Sequence, residues 1–252
     1  MVERKTEQDY SFQNARRYSE IASNYSRDWR GELTPDLIDK HEFFLKALGN
    51  GKKTILDAGC GTGKASLYFA QSGNKVFSLD LSAGMLDETF SQKSSNYELN
   101  CLLANMKETL PFSEGSFDGV WSMAAIVHLS AVDRKTVLKE FTRVLKSQGI
   151  LFLSAQNRLN PKHLHRIFQS YLFSLGYDEE NNYYQHKKIF RDIIKGESLP
   201  NRLLRGYAFL DDRHWYFPTK PELKSCLQDS GLELLYSNPV FSKRIDILAV
   251  KP

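Results

Sequence analysis

The stretch Ile55-Leu56-Asp57-Ala58-Gly59-Cys60-Gly61-Thr62-Gly63 decides the fold. It reads as a short apolar strand running into three alternate glycines, with a helical pattern beginning at Lys64. Glycine there lets the main chain turn tightly and lets a ligand approach the backbone and the helix N-terminus without a Cβ in the way. A phosphate-gripping P-loop requires G-x-x-x-x-G-K-[ST], but Ala58 stands where its first glycine belongs and Ala65 where its hydroxyl belongs. A dinucleotide turn requires G-x-G-x-x-G. The spacing here is G-x-G-x-G, and the acid Asp57, two residues ahead of Gly59, is badly placed beside a pyrophosphate.

Outward from that turn, short apolar runs alternate with helical ones. Strands are expected at Thr54 to Ala58, Lys75 to Asp80, Leu99 to Ala104, Phe117 to Met123 and Gly149 to Ala155, and helices near Lys64 to Gln71, Ala83 to Gln92 and Asp133 to Leu145. Strands too apolar to have a wet face argue for a parallel sheet covered on both sides. Upstream, Phe12 to Ser23 has helical periodicity. Thr34-Pro35-Asp36 reads as a hydroxyl cap, a proline in the first turn and an acid at the dipole's positive end, opening a helix to about Leu48. Downstream, Thr219-x-x-Glu222 forms a capping box before Leu223 to Ser230. Leu232 to Ser237 and Arg244 to Val250, joined through Asn238-Pro239, then read as a terminal hairpin. The expected architecture is α/β: a doubly wound, Rossmann-like, mostly parallel seven-stranded sheet with a C-terminal antiparallel hairpin. One domain is expected over 1–252, with a helical cap at 1–50 and a helical insertion at 157–210 acting as a lid.

Composition sets the outer limits. Apolar residues at 41%, charged residues at 25% and a mean hydropathy of −0.44 are those of an ordinary globule and exclude disordered, collagenous and membrane-embedded chains. The longest nearly apolar run, Gly119 to Val127, is nine residues, against the roughly 20 that span a bilayer. Met1 to Tyr10 mixes both charges without an apolar segment, so a cytoplasmic location without a membrane partner is expected. Cys60, Cys101 and Cys226 lie far apart, an odd set that suits reduced thiols. The net charge of +4 falls short of a nucleic-acid signature. Between Arg158 and Arg205, however, nine basic residues face five acidic ones, interleaved with aromatics such as Tyr171, Tyr177, Tyr183 and Tyr184.

Asp57 at the end of the first strand suits a cationic group. The next strand ends in Asp80, 23 residues on, where this kind of fold hydrogen-bonds ribose hydroxyls. A ligand with an amino-acid ammonium, a ribose and no phosphate fits both carboxylates: S-adenosyl-L-methionine. At these residues the sequence resembles the class I S-adenosylmethionine-dependent methyltransferases, most closely the group of small-molecule methylases, over roughly Tyr18 to Ser154. The resemblance implies that Asp57, Gly59, Cys60, Gly61 and Gly63 line the methionine moiety and that Asp80 binds the ribose. It also implies that Leu81, Met85, Asn105 and Met106 flank the adenine, and that Ser122 and its neighbours form the fourth strand and active-site loop. The family commonly has aspartate where Asn105 stands; asparagine keeps one carbonyl acceptor and loses the charge. Tyr18-x-x-x-Ala22-x-x-Tyr25 resembles the N-terminal cap, with Tyr25 closing over the cofactor beside the sulfonium.

The acceptor is less legible, because methyl transfer from a sulfonium needs alignment and desolvation more than a fixed catalytic group. The Pro-Pro-aromatic turn of amino-group methylation in nucleic acid is absent after Ser122, and no cysteine is placed as a nucleophile for pyrimidine C5. No carboxylate set for metal-assisted catechol methylation can be assembled, and no metal site is expected. A small-molecule acceptor methylated at O, N or activated carbon is expected, with a transfer-RNA wobble-uridine enzyme or a non-catalytic cofactor-binding module as alternatives, in a monomer or homodimer. His128 and His214 are the candidate proton acceptors or orienting groups. His163, His165 and His186 read as solvated helix faces. In the insertion, the aromatics read as pocket wall, or alternatively as an RNA-stacking surface.

Overall fold

The computed structural model describes residues 10–28, 33–163, 165, 207–210, 212–240 and 242–252. Two helices, α1 (Ser11–Asp28) and α2 (Pro35–Leu48), precede the sheet. The core then runs β1 (Thr54–Ala58), α3 (Lys64–Gln71), β2 (Lys75–Asp80), α4 (Ala83–Ser91), β3 (Leu99–Leu103) and β4 (Phe117–Met123). A 3-10 turn (Ile126–His128), α5 (Ala131–Val144) and β5 (Leu145–Gln156) follow. Beyond these lie β6 (Tyr207–Leu210), β7 (Arg213–Tyr216), α6 (Lys220–Gln228), β8 (Glu233–Ser237) and β9 (Arg244–Val250). Strand order in the seven-stranded sheet is β3-β2-β1-β4-β5-β9-β8. The first five are mutually parallel, while β9 runs antiparallel to both β5 and β8. The expected α/β sheet with its antiparallel terminal hairpin is the one observed.

Residue alternation along the strands divides the core in two, because successive side chains point to opposite faces. Ile55, Trp121 and Phe152 pack against Phe44 of α2 and Phe69 of α3. Their neighbours Leu56, Val120 and Leu151 pack with α5 and α6 through Phe141, Leu223 and Leu227. Trp121 stacks on Phe152 with ring centroids 4.1 Å apart, an aromatic pairing that stabilises beyond its buried area by roughly 0.5–1.5 kcal/mol. No helix among the described residues is long and apolar enough to cross a membrane.

Several local expectations change. Thr34 precedes α2 as expected, but its hydroxyl makes no capping hydrogen bond, and Pro35 alone sets the start. The Thr219–Glu222 capping box is present in full. β5 begins four residues earlier than Gly149, and Gln148 within it adopts a left-handed φ of 63° where the register against β4 shifts between Leu145 and Ile150. The stretch expected to stay helical to Phe209 ends instead in a hairpin, with β6 and β7 paired from Tyr207↔Tyr216 to Leu210↔Arg213. Asp212, at φ 59°, makes its turn, and four-residue apolar runs are too short for periodicity to separate strand from helix. Most of the insertion expected at 157–210, including His186 and the aromatic run, lies outside the described residues.

Candidate functional site

Strand order reverses between β1 and β4, since the chain first builds β2 and β3 on one side and then crosses to the other. In open α/β sheets such a switch point leaves a crevice at the carboxyl ends of the strands. A cavity of about 880 Å³ sits there, lined by the tips of β1, β2 and β4, by α1 and by β7. Its size is toward the upper end of the roughly 300–1,000 Å³ typical of small-molecule sites.

The glycine turn forms its floor. Gly59 N–H and Cys60 N–H both donate to the Leu79 carbonyl, and Gly61 N–H donates to Asp80 Oδ2 at 2.9 Å. Thr89 of α4 donates to the Gly61 carbonyl at 2.9 Å. Gly59 has φ +77°, and a Cβ there would lie 2.3 Å from Ala125 Cβ. Gly61, at φ +54°, has nothing within 4 Å of the place its Cβ would take. The turn is thus pressed against the β4 loop at one glycine and bare at the next, a cradle that a side chain would fill.

Two acids line the cavity, Asp57 and Asp80. Asp57 is fully buried and accepts from Ser66 Oγ at 2.6 Å, which in turn accepts from Ser78 Oγ at 2.7 Å. Burial pushes its pKa up to about 7, with the Ser66 hydrogen bond opposing. Asp80 accepts Gly61 N–H on one oxygen and Ser82 N–H, at 2.9 Å, on the other. Burial raises its pKa, and these backbone donors hold the rise in check. Each of its oxygens keeps a further lone pair for a ligand hydroxyl.

Tyr25, Cys60, Leu81, Met85, Asn105 and Met106 also line the cavity. Asn105 spends part of its acceptor capacity locally, taking Lys107 N–H on Oδ1 at 3.1 Å. Two expected residues do not line it. Gly63 caps α3, where a Cβ would lie 2.5 Å from Thr89 Cγ2. Ser122 is fully buried and donates to the Ala58 carbonyl at 2.9 Å, tying β4 to β1.

The histidines are arranged otherwise than the sequence suggested. His128 lines the cavity, with Nε2 2.9 Å from the Tyr18 hydroxyl and Nδ1 2.8 Å from the His214 carbonyl. A carbonyl only accepts, so Nδ1 carries the proton and Nε2 receives the Tyr18 hydrogen. Burial lowers the His128 pKa to about 4 and raises that of Tyr18 to about 12. The His214 ring stacks on Tyr10 at 3.4 Å and is not part of the lining; only its peptide reaches His128. Asn14 clamps that peptide, accepting His214 N–H at 2.8 Å and donating to its carbonyl at 3.0 Å. His163 is buried against Phe217 and lines the cavity, which corrects its reading as solvated, whereas His165 is exposed. Replacing Tyr18 with phenylalanine strips His128 Nε2 of its donor; denaturant unfolding should show a loss of about 1–3 kcal/mol, and an unchanged midpoint would contradict the network.

Sequence reasoning passed over Asn14, His41, Arg213, Trp215 and Arg244, and gave Tyr18 no role beyond its place in the cap motif. His41 is fully buried among Tyr68, Phe69 and Trp121, with both ring nitrogens unpartnered among the described residues, and it too lines the cavity. No local motif marks these positions, which come together only through tertiary packing.

Residues 56–153 match the family model described as a methyltransferase domain. This stretch is thus similar to methyltransferase domains. The chain is 37% identical over 152 residues to a malonyl-[acyl-carrier protein] O-methyltransferase of Hamiltonella defensa, covering 59% of this chain and 57% of that protein. It is 35% identical over 127 residues to an O-methyltransferase of Aspergillus nomiae, covering 46% and 55%. The chain spans about half the length of the curated relatives it matches. In structure, the methyltransferase fold extends beyond the matched stretch. The Burkholderia thailandensis 1,6-didemethyltoxoflavin-N1-methyltransferase, solved with bound 1,6-didemethyltoxoflavin and S-adenosylhomocysteine, superposes with a TM-score of 0.62 at 15% identity, covering 99% of this chain and 93% of that one.

Proposed function

We propose that the chain transfers a methyl group from S-adenosylmethionine to an oxygen, nitrogen or activated carbon of a small-molecule acceptor. The polarity of the cavity carries the reading: its two acids stand at neighbouring strand tips beside a bare glycine, which suits an ammonium, a ribose and a sulfonium. When bound, the cofactor supplies an electrophilic methyl group. The chain's own residues would then bind and align. Asp57 faces the ammonium, Asp80 accepts from ribose hydroxyls, and Leu81, Met85, Asn105 and Met106 flank the base. Tyr25 and Tyr18 present aromatic surface from α1, and Trp121 and Trp215 do so from the strands. His128, neutral and engaged at both nitrogens, orients Tyr18 and the β7 backbone and takes no proton. The small-molecule relatives support an acceptor of that kind; a transfer-RNA acceptor is the second reading and rests on the basic run alone.

Calorimetric titration with S-adenosylhomocysteine tests the proposal, with saturable one-to-one binding expected; preference for NAD would overturn it. The pH dependence is a sharper check. Asp57 has a folded pKa above its unfolded value, so its contribution to folding stability is full below about 4 and is lost as pH rises through about 7. A cationic ligand acts in the opposite sense, because it requires the ionised carboxylate. Between pH 5.5 and 7 the affinity is expected to rise by up to about tenfold per unit, with close to one proton released on binding at the acid end. Asp57→Asn should abolish the proton release; its persistence would assign the titration elsewhere.

A further inference from the structure

We propose that the methyl acceptor is an anion, a carboxylate in chemical class, held by Arg213 and Arg244 at the β5–β9 end of the cavity. This rests on the methyl-transfer reading and adds to it the charge of the second substrate.

Most of the charges lining the cavity are sorted by position. Its only described acids are Asp57 and Asp80, at the tips of β1 and β2, with Lys64 at the start of α3 as the one described cation beside the glycine turn, whereas Lys162, Arg213, Lys243 and Arg244 line the far end with no described acid among them. Lys162 and Lys243 are exposed, where solvent screens them. The guanidinium groups are not so exposed. Arg213 lies over the rings of Tyr18 and Trp215, 4.9 and 5.4 Å from their centroids. Arg244 donates through Nε to Ser154 Oγ at 2.9 Å, while its Nη2 is sealed from solvent and meets no hydrogen-bond partner among the described residues. Both cations act on the Tyr25 phenol, as Asp80 does in the opposite sense, so the two guanidinium groups lie within reach of one ring. The carboxylates behind Arg244 are already engaged: Asp246 accepts from Ser154 and lies 3.5 Å from Lys40 Nζ, Asp36 pairs with the same lysine, and neither lines the cavity.

A buried guanidinium N–H without an acceptor is costly, and an anionic oxygen compensates it better than a neutral one. The planar fork also matches the two oxygens of a carboxylate. The chemistry agrees. An acceptor that arrives ionised needs no base, which suits a site whose His128 is engaged at both nitrogens. One carboxylate oxygen forms the bond to the methyl carbon, the carbon–sulfur electron pair stays on sulfur and no proton moves, leaving a methyl ester and a thioether. Anion and sulfonium cancel, and charge cancellation is favoured where water is excluded.

The test is to saturate the protein with S-adenosylhomocysteine and titrate it with sodium octanoate and sodium benzoate, then with octanamide and benzamide. Each acid is expected to bind about tenfold or more tighter than its amide. The preference should vanish in Arg213→Gln and Arg244→Gln and survive in part in Arg244→Lys, with thermal unfolding confirming that each variant is folded. With S-adenosylmethionine in place of its product, the acids should yield methyl esters. Equal affinity of acid and amide, no binding of either acid, or a preference that survives both glutamine variants overturns the proposal. So does tighter binding of an oligouridylate than of either acid, which would assign these cations to phosphodiesters. Failure to bind S-adenosylhomocysteine at all would instead remove the methyl-transfer reading itself, so the two failures are distinguishable.

Discussion

Gly59→Ala is expected to abolish cofactor binding and to destabilise the protein before any ligand is added. The new methyl group would sit 2.3 Å from Ala125 Cβ and 3.2 Å from Met106 Cε, at a backbone φ of +77°. Ala125 has no flexible end to swing aside, so relief requires moving the loop after β4. That loop is already strained, since Ala124 holds a left-handed φ of 61° while donating to the Ser154 carbonyl at 2.7 Å. Overpacking of this kind costs roughly 1–3 kcal/mol in stability, and displacement of the cavity wall should lower affinity for S-adenosylhomocysteine by about 100-fold or more. Gly61→Val is the contrasting variant. Nothing within 4 Å opposes a Cβ there, so the unliganded protein should bear only the strain of a left-handed branched residue, about 1–2 kcal/mol, while binding is lost because the side chain enters the cofactor's path. Thermal unfolding and calorimetry on both variants separate the two effects; wild-type melting and affinity for Gly59→Ala would refute the packing argument.

Asp80→Ala carries the second large effect, because this one carboxylate does two things. It holds the turn, through Gly61 N–H, and the start of α4, through Ser82 N–H, and it is proposed to accept from ribose. Loss of charge-assisted hydrogen bonds should weaken binding by about 1–3 kcal/mol, and the two orphaned backbone donors should lower the melting temperature as well. Asp80→Asn keeps one oxygen acceptor and can satisfy only part of the set, so it should fall between wild type and alanine in both measurements. An alanine variant that melts lower yet binds normally would leave Asp80 a structural role only.

The parts legible in the sequence are those encoded by neighbouring residues. β1, α3 and β2 fall at their expected positions because the apolar runs, the glycines and the acids lie within 27 residues of one another, from Thr54 to Asp80. The capping box at Thr219 is local in the same way. The far end of the cavity was not legible. Arg213 comes from a hairpin of four-residue strands and Arg244 from the start of β9, and they meet Tyr18 and Tyr25 of α1 only through the fold. His214 misled because its residue type suggested proton chemistry while its contribution is a carbonyl. Ser122 misled because its position at a strand tip is spent on a bond between strands.

The inner side of α1 has a further consequence. Its fully buried residues are Asn14, Ala22 and Ser26, and its ties to the rest of the molecule include Ser19 to Ser82 and Gly84, Arg17 to Asp212, Asn14 to the His214 peptide and Tyr18 to His128. A wall fastened largely by directional bonds can detach at a hydrophobic cost set mainly by the Tyr18 and Tyr25 rings, with water replacing each bond as it opens. An outward swing of this single helix would open the cavity along its length while the strands beneath kept their pairing.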